Sequence, residues 1–168
     1  MLRHPNLQIG YGTVVIGRFA LSGKGSVTIG SNCRLVSPNF HCDGEISIGN
    51  GGYFHQTHLV AKQRIEIGPQ AILSDCYVVD TDFHNIKPAD RHSSVLSPKA
   101  TRSIVIGSNV WIGDNGTVLK GSVIGNNSVC GSNTVVRGEI PADSIAIGNP
   151  AQIVGRFKHP IGSATKEY

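Results

Sequence analysis

The sequence predicts an all-β chain wound as a parallel coil of hexapeptide repeats, in about six to seven triangular turns, with one extruded loop and a short carboxy-terminal tail. Three observations predict it. Aliphatic residues recur at every sixth position through most of the chain. Glycine and asparagine punctuate them, as in "IGSN", "IGDN" and "IGNN". Charged residues are 15% of the 168, where about a quarter is usual, and 21 residues are glycine. A chain so composed turns often and packs small β-branched side chains. Its length has room for one domain, 1–168, with a fair core.

In chain order the beats are Ile9, Val15 and Leu21; Ile29, Leu35 and His41; Ile48, Phe54 and Val60; Ile67, Leu73 and Val79. After a break come Ile106, Ile112 and Val118, then Ile124, Cys130 and Val136, so that the coils span about 9–147. Successive triplets start 20, 19 and 19 residues apart before the break, and 18 apart after it. An α-helix of 3.6 residues per turn would spread a six-residue period around every face. In a triangular coil each hexapeptide supplies one short strand and one corner, and every sixth side chain points at the axis. On this count His41 and Cys130 face inward. Stacked turns make three parallel sheets with strands ~4.8 Å apart, so six turns stand roughly 25–30 Å tall. Glycine and asparagine tolerate the left-handed backbone that tight corners need. A β-sandwich or jelly roll also has many short strands, but its period is two.

The break is an extruded loop, 80–103. From Ile67 to Ile106 is 39 residues, 21 more than one 18-residue turn, and the excess follows Val79. Structureless loops beyond ~12–15 residues are uncommon and are usually functional or disordered. This one carries Asp80, Asp82, His84, Asp90, Arg91 and His92.

The net charge of +4 is scattered and includes no run of consecutive bases, which argues against a nucleic-acid partner and suits a small anionic ligand. Cys33, Cys42, Cys76 and Cys130 form no CxxC pair. No apolar signal region follows "MLRHPNLQIGYG", so a cytoplasmic protein with reduced, core-forming thiols is expected. No apolar run approaches the ~20 residues of a membrane span.

"IVIGSNVWIGDNGTVLKGSVIGNNSVCGSNTVVRGEIPADSIAIGNPAQIVGRF" and "DTDFH" resemble the left-handed β-helix (hexapeptide-repeat) acyltransferases, in the sugar O-acetyltransferase and streptogramin acetyltransferase branch. The resemblance covers most of the chain, and "VWIG" and "GNPA" are its most specific pieces. It implies a left-handed coil, a homotrimer with active sites between subunits, acetyl-CoA as donor and no required metal. It places His84 as the catalytic base and Trp111 at the acceptor and thioester end of the channel. Gly113 and Asp114 match positions where backbone amides approach the thioester. Gly131 and Ser132 match the edge beside the pantetheine arm, and Arg137 lies near the nucleotide end. "CGSNTVV" departs from the family's usual glycine-alanine-glycine, and Asp114 stands where a small residue is frequent.

The chemistry these residues suit is acetyl transfer to a hydroxyl of a sugar, or of a polysaccharide or glycolipid precursor. An alcohol must lose its proton as it attacks a thioester, and a histidine titrating near 6.5 can take it, contributing ~10²–10⁴-fold. Asp82 or Asp80 is expected to orient His84. Backbone amides along a coil edge would stabilise the oxyanion. His55 and His58, in "FHQTH", read as surface or subunit contacts, and Trp111 points outward, to substrate or to a subunit interface. Lys120, Arg137, Arg156 and Lys158 are candidates for CoA phosphates. Within the same class, an amino-sugar or nucleotide-sugar N-acetyltransferase or a xenobiotic acetyltransferase needs the same base. A γ-type carbonic anhydrase would need three histidines around a metal, and the ligand spacing for that is absent. A non-catalytic scaffold would consume no thioester.

Overall fold

The computed structural model describes residues 6–158. Three parallel sheets run its length, here called A, B and C in the order the chain visits them. Sheet A stacks Leu7–Ile9, Ser26–Ile29, Glu45–Ile48, Arg64–Ile67, Ile104–Ile106, Val123–Ile124 and Glu139–Ile140. Sheet B stacks Val14–Ile16, Arg34–Val36, Tyr53–His55, Ile72–Ser74, Trp111–Ile112, Val129–Cys130 and Ser144–Ile147. Sheet C stacks Ala20–Ser22, Asn39–Cys42, His58–Ala61, Tyr77–Val79, Thr117–Leu119 and Val135–Val136. The result is a triangular prism of about seven turns.

The core is the prism axis. Ile46, Ile65 and Ile104 from sheet A, Leu35, Phe54 and Ile112 from sheet B, and Phe40, Leu59 and Val118 from sheet C are all fully buried. Each such side chain contributes ~1.5–3 kcal/mol relative to exposure, and each meets its like from the turns above and below. Asparagines hold the A-to-B corners. Asn32, Asn109 and Asn127 sit at φ of 57°, 54° and 59°. Asn109 Nδ2 donates to Asn127 Oδ1 at 3.1 Å, and Asn127 Nδ2 to Asp143 Oδ1 at 2.9 Å. A short amide side chain tolerates the left-handed conformation and bonds locally, which explains its repetition here.

Sheet C corrects the count by sixes. That count puts His41, Val60 and Val79 on the axis, but Phe40, Leu59 and Val78 face it instead, in register with one another and with Val118 and Val136. The corners explain the slip. Ser37, Gln56 and Asp75, at φ of 47°, 43° and 49°, turn the chain from B to C in one residue fewer. The C-to-A corners take the residues back. His41 therefore faces outward, with Nδ1 2.9 Å from Ser22 Oγ and Nε2 3.3 Å from Asp43.

The carboxy-terminal segment also differs from a plain tail. After the cis Asn149–Pro150 bond, Gln152–Arg156 turns back antiparallel on Ser144–Ile147 and adds an edge strand to sheet B. Residues 159–168 of the expected tail lie outside the described residues.

Candidate active site

The strand Tyr77–Val79 ends where 80–103 leaves the C-to-A corner, and Ile104–Ile106 resumes sheet A above Arg64–Ile67. The neck of this loop is closed by backbone bonding. Asp82 N donates to the Ala100 carbonyl at 2.8 Å and Arg102 N to that of Asp80 at 2.9 Å, around an antiparallel bridge of Thr81 and Thr101.

Asp80 is fully buried, and its carboxylate accepts from the amides of Lys62, Gln63 and Arg64 at 2.7, 2.7 and 2.8 Å. It ties the foot of the loop to the corner one turn below. Asp82 is taken by Lys120, whose Nζ donates to Oδ2 at 2.5 Å and to the Lys99 carbonyl at 2.6 Å. Neither Asp80 nor Asp82, expected to orient His84, hydrogen-bonds to it within the chain. Both hold the loop instead, and every bond to Asp80 and Asp82 bears on where His84 stands.

Asn85, 6% exposed, organises the loop from inside. Its Nδ2 donates to the carbonyls of Asp90 and Val95, at 3.1 and 2.9 Å, and its Oδ1 accepts from Ser97 N at 2.6 Å. Pro88–Asp90 forms one 3₁₀ turn. His84 follows Phe83, which adopts φ 62°, and its ring is exposed with no hydrogen bond or ion pair among the described residues. An open imidazole on a loop fixed at its neck and its interior is free to meet a ligand.

Between the loop and sheet C lies a cleft of about 710 Å³. Asp82 and Arg137 both line it, with Lys99, Arg102 and Lys120. A smaller hollow of about 260 Å³ lies against the loop's inner residues Asn85 and Ser97.

The other sequence-predicted residues gather elsewhere. Trp111, 52% exposed, stands on the outer face of sheet B, and Gly113, Asp114, Gly131 and Ser132 form the B-to-C corner. The loop leaves from the C-to-A corner, so sheet C separates the two groups within one chain. The Gly113 and Gly131 amides are used by the coil, donating to the carbonyls of Cys130 and Ala146 at 2.9 Å each. Those of Asp114 and Ser132 have no acceptor among the described residues. A Cβ on Gly113 would stand 2.9 Å from the Ser132 nitrogen, so glycine there leaves that amide uncovered.

The four thiols are buried and free. Burial pushes Cys76 up to about 12 and Cys130 up to about 11, which leaves them protonated and poorly nucleophilic. Among the described residues no group of three His, Cys, Asp or Glu side chains converges to hold a metal ion. No helix among them is long and apolar enough to cross a membrane.

The sequence reading missed the structural work of Asp80, Asn85 and Lys120. Asp80 and Lys120 carried no local signal, because their partners lie 16 to 18 and 21 to 38 residues away.

No family model matches the chain. It is 36% identical over 108 residues to WbbJ of Escherichia coli K12, named for lipopolysaccharide biosynthesis O-acetyl transfer, covering 61% of this chain and 55% of that one. It is 40% identical over 96 residues to the acetyltransferase-named Rv3034c of Mycobacterium tuberculosis, covering 54% and 30%. The chain thus spans about half or less of these two curated relatives. The polysialic acid O-acetyltransferase OatWY superposes with a TM-score of 0.56 at 25% identity, over 95% of each chain. The shared architecture is the left-handed parallel β-helix. By sequence and by fold, the chain is similar to proteins named as acetyltransferases, O-acetyltransferases among them, that share this β-helix.

Proposed function

We propose that this protein moves an acetyl group from acetyl-CoA to a hydroxyl of a saccharide, with His84 as general base. The observation that carries the reading is an imidazole held out, unpartnered, on a loop anchored through Asp80, Asp82 and Asn85 to a rigid prism. It is supported by the names of WbbJ and OatWY, both those of O-acetyltransferases.

The acceptor hydroxyl gives its proton to His84 as its oxygen bonds to the thioester carbonyl carbon. The carbonyl oxygen takes the negative charge, and the uncovered Ser132 and Asp114 amides are suited to donate to it. When the carbon–sulfur bond breaks, the imidazolium returns the proton to the departing thiolate. No covalent enzyme intermediate forms. Holding both reactants against a stiff wall supplies the orientation such a reaction needs.

The site is composite in this reading, since the loop and the Ser132 corner occupy different edges of one prism. A homotrimer brings one chain's loop to another's corner. The outer face of sheet B suits the contact, because Tyr53, Ile72, Trp111 and Val129 follow one another in register, with Ile72 42% and Trp111 52% exposed. An apolar stripe of this kind on a flat sheet marks an association surface. Four free, buried cysteines suit a cytoplasmic protein.

Thiol release from acetyl-CoA, measured across free sugars, nucleotide sugars and polysaccharide fragments, tests the proposal. Release with a saccharide alcohol, abolished by His84→Ala, is the expected result. Release that His84→Ala leaves unchanged, or none with any acceptor, removes it.

A further inference from the structure

We infer that the cleft beneath the loop selects an acidic acceptor, a saccharide carrying a carboxylate or phosphate ester beside the hydroxyl to be acetylated. The inference rests on the transfer reading above and goes beyond it by naming the acceptor's charge.

Lys62 is ion-paired with Asp43, Arg64 with Glu45 and Glu66, and Lys120 with Asp82. Lys99, Arg102 and Arg137, which line the cleft, have no carboxylate within ion-pair distance among the described residues. Three uncompensated cations thus converge on one concavity, whose single carboxylate is already taken by Lys120. Like charges placed together repel, and a bound anion relieves that repulsion.

The cleft is also built to hold one of these cations in place. A Cβ on Gly121 would stand 3.0 Å from Arg102 Nε and 3.1 Å from its Cζ, so the guanidinium lies across a residue with no side chain. Gly121 takes φ 75°, and its N–H donates to the Arg102 carbonyl at 3.0 Å, fixing the two backbones together. A planar guanidinium so placed offers paired donors to a carboxylate or phosphate.

Ile86, Pro98 and Leu119 add apolar walls, and Thr81 completes the lining. Cations and apolar side chains together in one lining match a sugar ring bearing an acidic substituent. At about 710 Å³ the volume falls within the roughly 300–1,000 Å³ of small-ligand sites. The acceptor is favoured over the donor because the cleft is made by the loop that carries His84. The corner suited to the thioester lies across sheet C.

Equilibrium binding to the full chain, followed by NMR or calorimetry, tests this with inorganic phosphate, glucuronate and methyl glucoside as probes and CoA as the control. Phosphate and glucuronate should bind where methyl glucoside does not. Arg102→Gln should weaken glucuronate binding about tenfold, as for loss of one charge-assisted contact, and leave CoA affinity unchanged. Arg64→Gln, an equal change of charge on sheet A, should do nothing. Failure of both anions to bind more tightly than methyl glucoside overturns the inference. So does a loss of CoA affinity in Arg102→Gln equal to the loss for glucuronate, which would assign the cleft to the donor's phosphates. A chain that binds the anions as expected, yet releases no thiol with any acidic or neutral acceptor, keeps the anion site and loses the transferase reading.

Discussion

Asp82 and Lys120 meet at 2.5 Å across 38 residues of sequence, and through that contact the loop is fastened to the turn above its own root. Lys120 adds a second bond to the Lys99 carbonyl, so one ammonium spans both strands of the neck. The pair is less than one-third exposed, so its energy is not wholly screened.

Breaking this pair should loosen the loop without unfolding the prism. Lys120→Ala and Asp82→Ala are each expected to cost about 1 kcal/mol. The double variant should cost less than the two together, because each single change already removes the same contact. Hydrogen exchange should quicken across 83–99 and stay slow in sheets A and B. Equal protection of the loop in wild type and Lys120→Ala would show that the contact does not hold it.

Removing the Asp80 carboxylate should be more damaging. Its oxygens satisfy three amides in a fully buried setting, and Asp80→Ala leaves those donors without acceptors. A loss of about 3 kcal/mol or more is expected in denaturant unfolding, against well under 1 kcal/mol for Asp90→Ala on the exposed loop surface. Similar midpoints for the two variants would contradict this account of Asp80.

For the proposed chemistry, His84→Ala should lower kcat by about 10²–10⁴-fold and leave CoA affinity within about twofold of wild type. His92→Ala, in the same loop, should leave kcat unchanged. Reversed effects of the two changes would move the base to His92.

Alkaline pH should destabilise the fold through its buried thiols. Cys42 and Cys130 are raised from 9.0 to about 11 and Cys76 to about 12, chiefly by burial. A folded pKa above the unfolded one means that the unfolded chain loses its protons first as pH rises. Stability is therefore complete below pH 9 and declines from there towards pH 11–12. Unfolding midpoints measured from pH 7 to 10.5 should fall beyond pH 9, and less steeply in Cys130→Val. At pH 8 a thiol reagent should react at the rate of unfolding, since all four cysteines are buried.

The apolar column on sheet B supplies a last expectation. Ile72→Asp, at a position 42% exposed, should cost the isolated chain little and yet shift sedimentation from the proposed trimer to monomer, with loss of the proposed transfer activity. A wild-type chain that sediments as a monomer would remove the composite site.

Much of this architecture is legible from residue types alone, and the reason is physical. A stacked coil must put an apolar side chain at the same angular position in every turn, so its period is written into the chain as Ile106, Ile112, Val118 and Ile124. The extruded loop is legible for the same reason, as an excess over the period. Sheet C in the early turns is less so. Phe40 and His41 are neighbours, and the choice between them depends on how many residues each corner consumes, which positive φ at Ser37 decides.

What the sequence determined by itself is the coil, its axis residues on sheets A and B, the place where it breaks, and the resemblance to the hexapeptide-repeat acyltransferases. Tertiary structure alone decided the employment of the polar residues. Asp80 became a buried anchor, Lys120 a fastener and Arg102 an unpaired cation over Gly121, while the Gly113 and Gly131 amides were consumed by the ladder. An apolar side chain reports its position through burial, which needs no specific partner. A charge or an amide takes its role from whichever group the fold brings within about 3 Å, and that group is fixed only when turns distant in sequence stack.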